Sequence, residues 1–406
     1  MRRLYAAALT QPSRRAAPSA GVPYGHDMTA AAPRRSSHGW RIVSLGGIPV
    51  YLARSWPVIA IAILALYGPT LAGGERSALE GYLIALAYAV LLLFSVLLHE
   101  AAHALAARWK GQRVDRVVAD MWGGHTVYDA TRSTPGIVAI VAVVGPLSNV
   151  VLGLAGLMLL PLTDGTVYLL LRALTATNLF VGVFNLLPGL PMDGGQIVSA
   201  LVWGRTGRRS TGLVVAGWLG RIVALGSVVW GVRELVAGGG DFIALIWVMV
   251  AMFLWKGASD AIRTGPVMDA TAGPVAQVLE PSLVVSVGDT LERAIDVASR
   301  QTEPVVIVVT DDDGAPVGTL SPEVTGGVPV EARSRTPVSA VYTVQPPSWV
   351  VTLPATATVA DLVRPMVTAS LSAAVIVEAG SRRVLGVARA ERLNDFIGSA
   401  IEERRR

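Results

Sequence analysis

Leu97-Leu98-His99-Glu100-Ala101-Ala102-His103-Ala104 lies inside an apolar run that covers about residues 81–107. On an α-helix, two histidines four apart share one face, one turn apart, where both imidazoles reach a single metal ion. Glu100 follows the first histidine and stands near that ion with a carboxylate free to handle a proton. Imidazole suits zinc, and two His, one carboxylate and a water make a hydrolytic zinc site with an open position. HExxH strings arise by chance, so the setting carries the weight. An apolar run of about 20 residues is long enough to cross a bilayer, and ionisable groups inside one are costly enough to mark a site. The bland alternative is a set of satisfied polar groups on a buried soluble helix.

Composition agrees with a membrane chain. Of 406 residues, 52% are apolar and only 16% charged, and the mean hydropathy is +0.53, unlike an ordinary soluble domain. The net charge of +5 comes largely from Arg-rich segments flanking apolar runs. Membrane topology explains it better than nucleic acid, and no nucleic-acid partner is expected. Cysteine is absent, which excludes disulfides and thiolate ligands, so a metal must rely on His and carboxylates. His26 and His38 lie in the N-terminal tail, leaving His99, His103 and His125 near the apolar spans.

Residues 1–40, rich in Arg, Ala, Ser and Pro, read as a disordered tail. The lack of acidic residues before Asp27 also suits an organellar transit peptide, and Met28 is an alternative start. Residues 42–52 alternate loosely and predict a strand at the membrane edge. Apolar spans follow at about 56–72, 82–107, 136–162, 167–190, 212–236 and 242–262. The positive residues gather at alternate connections. Arg34, Arg35, Arg41 and Arg54 precede the first span, and Arg108, Lys110, Arg113 and Arg116 follow the second. Arg205, Arg208 and Arg209 separate the fourth from the fifth, and Lys256 and Arg263 close the sixth. By the positive-inside rule both termini are cytoplasmic, with the HExxH motif near the cytoplasmic face.

Residues 114–128 alternate and break at Gly123-Gly124, which predicts a small β-hairpin. A helical substrate hides its carbonyls in i→i−4 bonds, and an exposed strand edge is a means of holding it extended by strand addition. An ordinary connecting loop is the alternative. His125, in the same stretch, is one candidate for a third metal ligand. Asp193 is the stronger one. Asn185-Leu186-Leu187-Pro188-Gly189-Leu190-Pro191-Met192-Asp193-Gly194-Gly195 ends the fourth span in a Pro/Gly-broken turn at the depth of His99 and His103. Freed backbone at that depth is tolerated only where it is buried in protein or faces a polar cavity. Asp193 as a plain N-cap of the next helix is the bland reading. Gly145-Pro146-Leu147-Ser148-Asn149 supplies small residues for close packing. Asn149 and Asn185 are candidates for holding a substrate backbone or an oxyanion, as are Gly123 and Gly124; interhelical hydrogen bonding is the alternative for the two amides.

His99-Glu100-x-x-His103, the Gly145-Pro146 segment and Asn185-x-x-Pro188-x-x-Pro191-x-Asp193-Gly194 together resemble the site-2 protease family of intramembrane zinc metalloproteases. The resemblance covers about residues 40–262. It implies one Zn2+ held by His99, His103 and Asp193. It also implies that Glu100 activates water for cleavage of a transmembrane peptide. The implied substrates are single-span membrane proteins such as anti-sigma factors or other membrane-tethered regulators.

After Arg263 the composition shifts, and two βαβ-like halves follow. The first reads as a strand at 283–287, a helix near 290–301, a strand at 304–310, the turn Asp311-Asp312-Asp313-Gly314 and a strand at 316–320. The second repeats that order with a strand at 349–353, a helix at 359–369, strands at 373–377 and 384–388 about a turn at Gly380, and a helix at 390–401. This repeat resembles a tandem pair of cystathionine-β-synthase (CBS) domains, which implies an adenine nucleotide as a regulatory ligand. The likeness departs at the ribose-binding position. The family commonly has Asp three residues after the Ser/Thr that ends its Gly-strand. Here Val324 and Arg392 stand at that place, with Glu323 and Glu391 one residue earlier.

The expected fold is an α-helical polytopic membrane protein of about six transmembrane helices. It has a small β-hairpin at the membrane edge and a C-terminal α/β tandem CBS domain. The expected domains are a tail (1–40), a transmembrane metalloprotease domain (41–264) and a cytoplasmic regulatory domain (265–406). A bacterial cell membrane is the expected location, and paired regulatory modules point to a homodimer. A membrane ion transporter or channel, with the same four residues lining a metal path, is the alternative. Against it, the other acidic residues of the apolar half lie at span ends or in loops.

Overall fold

Serine and glutamate set the start of the helix that carries the HExxH motif. In the computed structural model, which describes residues 39–73, 76–120, 123–128, 133–238 and 241–403, the Ser77 hydroxyl accepts from the Glu80 backbone N–H while the Glu80 carboxylate accepts from the Ser77 N–H at 2.8 Å. This capping box satisfies two donors that the first turn would leave free.

Before it, strands β1 (Trp40–Leu45) and β2 (Ile48–Leu52) form a hairpin about Gly46 and Gly47, both with positive φ. The single expected strand is therefore two. Helix α1 (Trp56–Leu71) precedes the capped helix α2 (Ala78–Trp109). Strands β3 (Val114–Asp120) and β4 (Gly123–Tyr128) follow, then α3 (Pro135–Leu159), α4 (Gly165–Asn185), α5 (Asp193–Thr206), α6 (Arg209–Val236) and α7 (Asp241–Ala270). Five of these helices are long and apolar enough to cross a membrane. The first expected span, α1, has only 16 residues, about 24 Å at 1.5 Å per residue against a hydrocarbon core of about 30 Å. The chain is an integral membrane protein.

The four strands form one sheet in the order β1-β2-β3-β4, parallel only between β2 and β3. Ile48, Val50 and Val117 pack on Ala104 of α2, seating the sheet beside the motif. Gly123 and Gly124 belong to β4, paired with Asp120 and Ala119, and are not the hairpin turn. Gly124 answers to a different need: a Cβ there would lie 2.6 Å from Cγ of Glu100. His125 is also in β4, and its side chain lies outside the described residues, as does the N-terminal tail up to residue 38.

The helices approach through small residues. A Cβ on Gly182 of α4 would meet Val150 and the Pro146 carbonyl of α3, and one on Gly153 would meet Leu179. Gly189, Leu190 and Met192 of the broken turn between α4 and α5 are buried the same way. Leu190 N–H donates to the Ala216 carbonyl at 3.0 Å, so the irregular backbone finds a partner inside the protein. Gly220 of α6 lies under that turn, where a Cβ would sit 1.9 Å from the Leu190 carbonyl oxygen.

The chain divides between Gly265 and Pro266 into two units. In the C-terminal unit, β5 (Ser282–Ser286), helix α8 (Leu291–Ser299), β6 (Val306–Thr310), β7 (Pro316–Leu320) and β8 (Thr343–Val344) give a sheet ordered β5-β6-β7-β8. The short helices α9 (Pro322–Gly326) and α10 (Val330–Arg333) precede β8. Then β9 (Val350–Leu353), α11 (Val359–Thr368), β10 (Ala373–Glu378), β11 (Val384–Arg389) and α12 (Ala390–Glu403) form a sheet ordered β11-β10-β9. Each half thus has a parallel strand pair joined through a helix, then an antiparallel hairpin. The expected order of elements is present; the short helices and β8 were not read. The turn before β7 follows from its residues. Asp311 accepts from the N–H groups of Asp313 and Ala315, and Gly314 takes φ 79°. Val308, Trp349, Val375 and Val387 pack together across the two halves.

Gly220 gives a direct test of the buried turn. Gly220→Ala is predicted to lower the unfolding temperature of the detergent-purified chain by several degrees. Gly226→Ala, two turns along the same helix with nothing within 4 Å of its Cβ, should leave it unchanged or raise it, as Ala favours helix by up to about 1 kcal/mol.

Candidate metal centre

Three donor atoms from two helices converge. Nε2 of His99 and Nε2 of His103 on α2 are 3.0 Å apart, and Oδ2 of Asp193 lies 3.2 Å from the first and 3.3 Å from the second. Asp193 is the first residue of α5, after the N-cap Met192. Its carboxylate is turned to the histidines. A tetrahedral zinc ion with bonds of about 2.0–2.2 Å separates its ligands by about 3.3–3.5 Å, so the triangle has the size of one face around such an ion. The donor set of two imidazoles and a carboxylate fits zinc, and both histidines are buried.

Which ring nitrogen is left free to bind a metal is fixed by hydrogen bonds on the other side of each ring. His103 Nδ1 lies 2.7 Å from the Val141 carbonyl, which only accepts, so Nδ1 carries the proton and Nε2 keeps its lone pair. For His99 the same result comes through a relay. The Leu174 carbonyl accepts from Nδ2 of Asn178 at 2.9 Å, which fixes that amide with its oxygen towards α3. Asn178 Oδ1 then accepts from Nδ2 of Asn149 at 2.8 Å, which turns the Asn149 oxygen to Nδ1 of His99. Ser95, one turn before His99, donates to Asn178 Oδ1 at 2.6 Å and accepts from Asn149 Nδ2 at 3.2 Å. All three polar residues are buried, so each bond is made at low local dielectric, where an unpaired group is costly.

Gly145 completes the pocket. A Cβ at this position of α3 would lie 2.3 Å from His103 Nε2 and 2.8 Å from His99 Cε1. Any other residue would intrude on the donor atoms. On the other side Glu100 is buried against β4, where its Oε2 accepts from the Thr126 hydroxyl at 2.9 Å. The same hydroxyl lies 3.2 Å from the Glu100 carbonyl.

The structure therefore brings together His99, His103 and Asp193, with Glu100 on the adjoining wall beside Gly124. Asn149 touches His99, and its amide is committed to His99, Ser95 and Asn178 rather than free for a substrate. Asn185, the last residue of α4, is half-buried, and among the described residues no hydrogen bond ties it to this cluster. Gly123 sits at the start of β4. The sequence reading missed Ser95, Asn178 and Thr126. Ser95 had a signal, standing four residues before His99 on the same helical face, and Asn178 another, as an amide inside an apolar span.

Comparison with known proteins bears on the same region. The model of peptidase family M50 matches residues 161–225, the segment that contains Asp193. A Synechocystis sp. protein described as a zinc metalloprotease is 31% identical over 249 residues, which is 56% of this chain and 61% of the relative's own length. Among solved structures, a site-2 protease from Methanocaldococcus jannaschii aligns with a TM-score of 0.41 and 23% identity, covering 55% of this chain and 95% of that one. A haemolysin-like protein of Oenococcus oeni containing a CBS domain aligns with a TM-score of 0.24 and 14% identity, over 33% of this chain and 96% of that one. Residues 161–225 around Asp193 thus match peptidase family M50, and over about half its length the chain is similar to a zinc metalloprotease.

Proposed function

We propose that the chain is an intramembrane zinc metalloprotease that hydrolyses a peptide bond in the transmembrane segment of a single-span membrane protein. The observation that carries this reading is the triangle of His99, His103 and Asp193 donors, 3.0–3.3 Å on each edge, with Glu100 beside it. His99, His103 and Asp193 hold the metal. Zinc bound there supplies Lewis-acid chemistry to water and to the scissile carbonyl. Glu100, steadied by Thr126, takes a proton from the attacking water and passes it to the amide nitrogen as the C–N bond breaks. Asn149 and Val141 keep the two histidines in the tautomer the site needs. Strand β4 is an edge of its sheet, and a substrate segment added there runs past Glu100 in the extended form that exposes its carbonyls.

Anti-sigma factors and other membrane-tethered regulators are the substrate class of this reading, in a bacterial cell membrane with both termini cytoplasmic. The C-terminal unit serves as a CBS-like regulatory module that senses an adenine nucleotide and pairs two copies of the chain. Glu323 and Glu391 take the ribose-binding role that Val324 and Arg392 cannot fill. Glu323 suits it, because its own backbone N–H and the Ser321 hydroxyl hold its carboxyl below the ordinary range and keep it charged.

Three outcomes test these assignments. Glu100→Ala, co-expressed with candidate single-span proteins, should retain zinc yet cut at least about a hundredfold more slowly, the scale of a lost general base; undiminished cleavage would remove the protease reading. Asn149→Leu should weaken zinc binding about 10- to 100-fold in a chelator competition, as loss of a ligand's outer partner does. An affinity equal to wild type would show that Asn149 does not hold His99. Deleting residues 266–406 should change the cleavage rate or abolish its response to added adenine nucleotide, and no change in either would discard the sensing role.

A further inference from the structure

Arg221 lies within the apolar helix α6, and its charge has no acidic partner among the described residues. Its guanidinium is stacked between the rings of Trp218 and Trp255, 4.7 and 4.9 Å from their centroids. Nη2 donates to the Ser259 hydroxyl of α7 at 3.2 Å, and Nε is buried without a hydrogen-bond partner. A cation in a membrane span is expensive and marks a site by default. Arginine's planar fork matches a phosphate, and an arginine held by aromatic faces and a hydroxyl keeps the rest of that fork free.

Depth narrows the ligand. Counted at about 1.5 Å per residue from the helix ends at Val236 and Asp241, Arg221 lies about 22 Å along α6 and Ser259 about 27 Å along α7. In a hydrocarbon layer about 30 Å thick, both stand near one boundary, at the level of glycerol and headgroup. Trp218 and Trp255, both exposed, belong at that level too.

From this point an open groove of about 320 Å³ runs along the seam of α6 and α7. Leu225 and Val228 line it from α6, and Val248, Ala251 and Met252 from α7, with Lys256 at the end nearest Arg221. Leu225 follows Arg221 by one turn and Lys256 precedes Ser259 by three residues, so cations and groove share one face. The nearest acid to Lys256 is Asp260 at 3.8 Å, an exposed pair of little strength.

We infer that the α6–α7 seam is a binding site for an anionic glycerophospholipid of the surrounding bilayer. The phosphate is taken by Arg221, Ser259 and Lys256, and one acyl chain lies in the groove towards the bilayer centre. A zwitterionic lipid offers the same chain, but its own ammonium or choline competes for the phosphate with the two cations.

Native mass spectrometry of the full-length chain in detergent, with phosphatidylglycerol or phosphatidylcholine added at equal concentration, tests this. Phosphatidylglycerol should bind about tenfold more tightly, the worth of one charge-assisted hydrogen bond. Arg221→Gln should reduce it to the phosphatidylcholine level, while Arg233→Gln at the opposite end of α6 leaves the preference intact. Val248→Trp, a change at an exposed position that fills the groove, should lower binding of both lipids. It decides the matter even if Arg221→Gln does not fold. Equal binding of the two lipids, a preference that survives Arg221→Gln, lipid binding indifferent to Val248→Trp, or a second copy of the chain held at the seam in place of lipid would each overturn the proposal.

Discussion

Two imidazole nitrogens and a carboxylate oxygen held within 3.3 Å of one another are the constraint that the membrane half of this chain is built to meet. Lone pairs repel at that separation, and polar groups in a membrane interior are costly. The site therefore exists only if helices on every side hold the donors and give them a reason to converge. Helix α2 brings the two rings by spacing alone. The carboxylate comes from about 90 residues away, so its position depends on how α4, the turn and α5 are packed.

That packing is made by removing side chains. Gly145 clears the space before the histidines, Gly182 and Gly153 let α3 and α4 close, and Gly220 admits the backbone of the turn that presents Asp193. The turn's irregular backbone is tolerable because protein groups satisfy it, as the Leu190–Ala216 bond does. The outer hydrogen bonds act in the same direction. A backbone carbonyl on α4 sets an asparagine, which sets a second asparagine, which sets a histidine. One ring's orientation is in this way tied to three helices, so a substitution on α4 that never touches the three donor atoms still reaches them.

Much of this could be read from the residues. His99, Glu100 and His103 announce themselves because a four-residue spacing on an apolar helix is local information. Asp193 was legible through the prolines and glycines around it, which only make sense where a span is interrupted. The C-terminal repeat was legible because the order strand, helix, strand, turn and strand recurs, with a glycine at each turn, Gly314 and Gly380. What escaped depends on distance in sequence. Ser95 and Asn178 are 83 residues apart, and nothing local says that they meet. Asn149 was open to two readings, a substrate-binding amide or an interhelical hydrogen bond, and its partners, which favour the second, appear only when α3 and α4 are packed. Gly123-Gly124 looked like a turn because glycine pairs usually mark one, whereas Gly124 is a strand residue that makes room for Glu100. The bounds of α1 were legible, 56–72 against Trp56–Leu71, but an apolar composition does not show that its 16 residues fall short of a full span.

X-ray absorption at the zinc edge of the purified full-length chain tests the central claim most directly. The account predicts one zinc per chain, with two imidazoles and oxygen donors at about 2.0–2.2 Å, and a changed oxygen shell in Asp193→Ala. A spectrum without imidazole scattering, or one that Asp193→Ala leaves untouched, would contradict it.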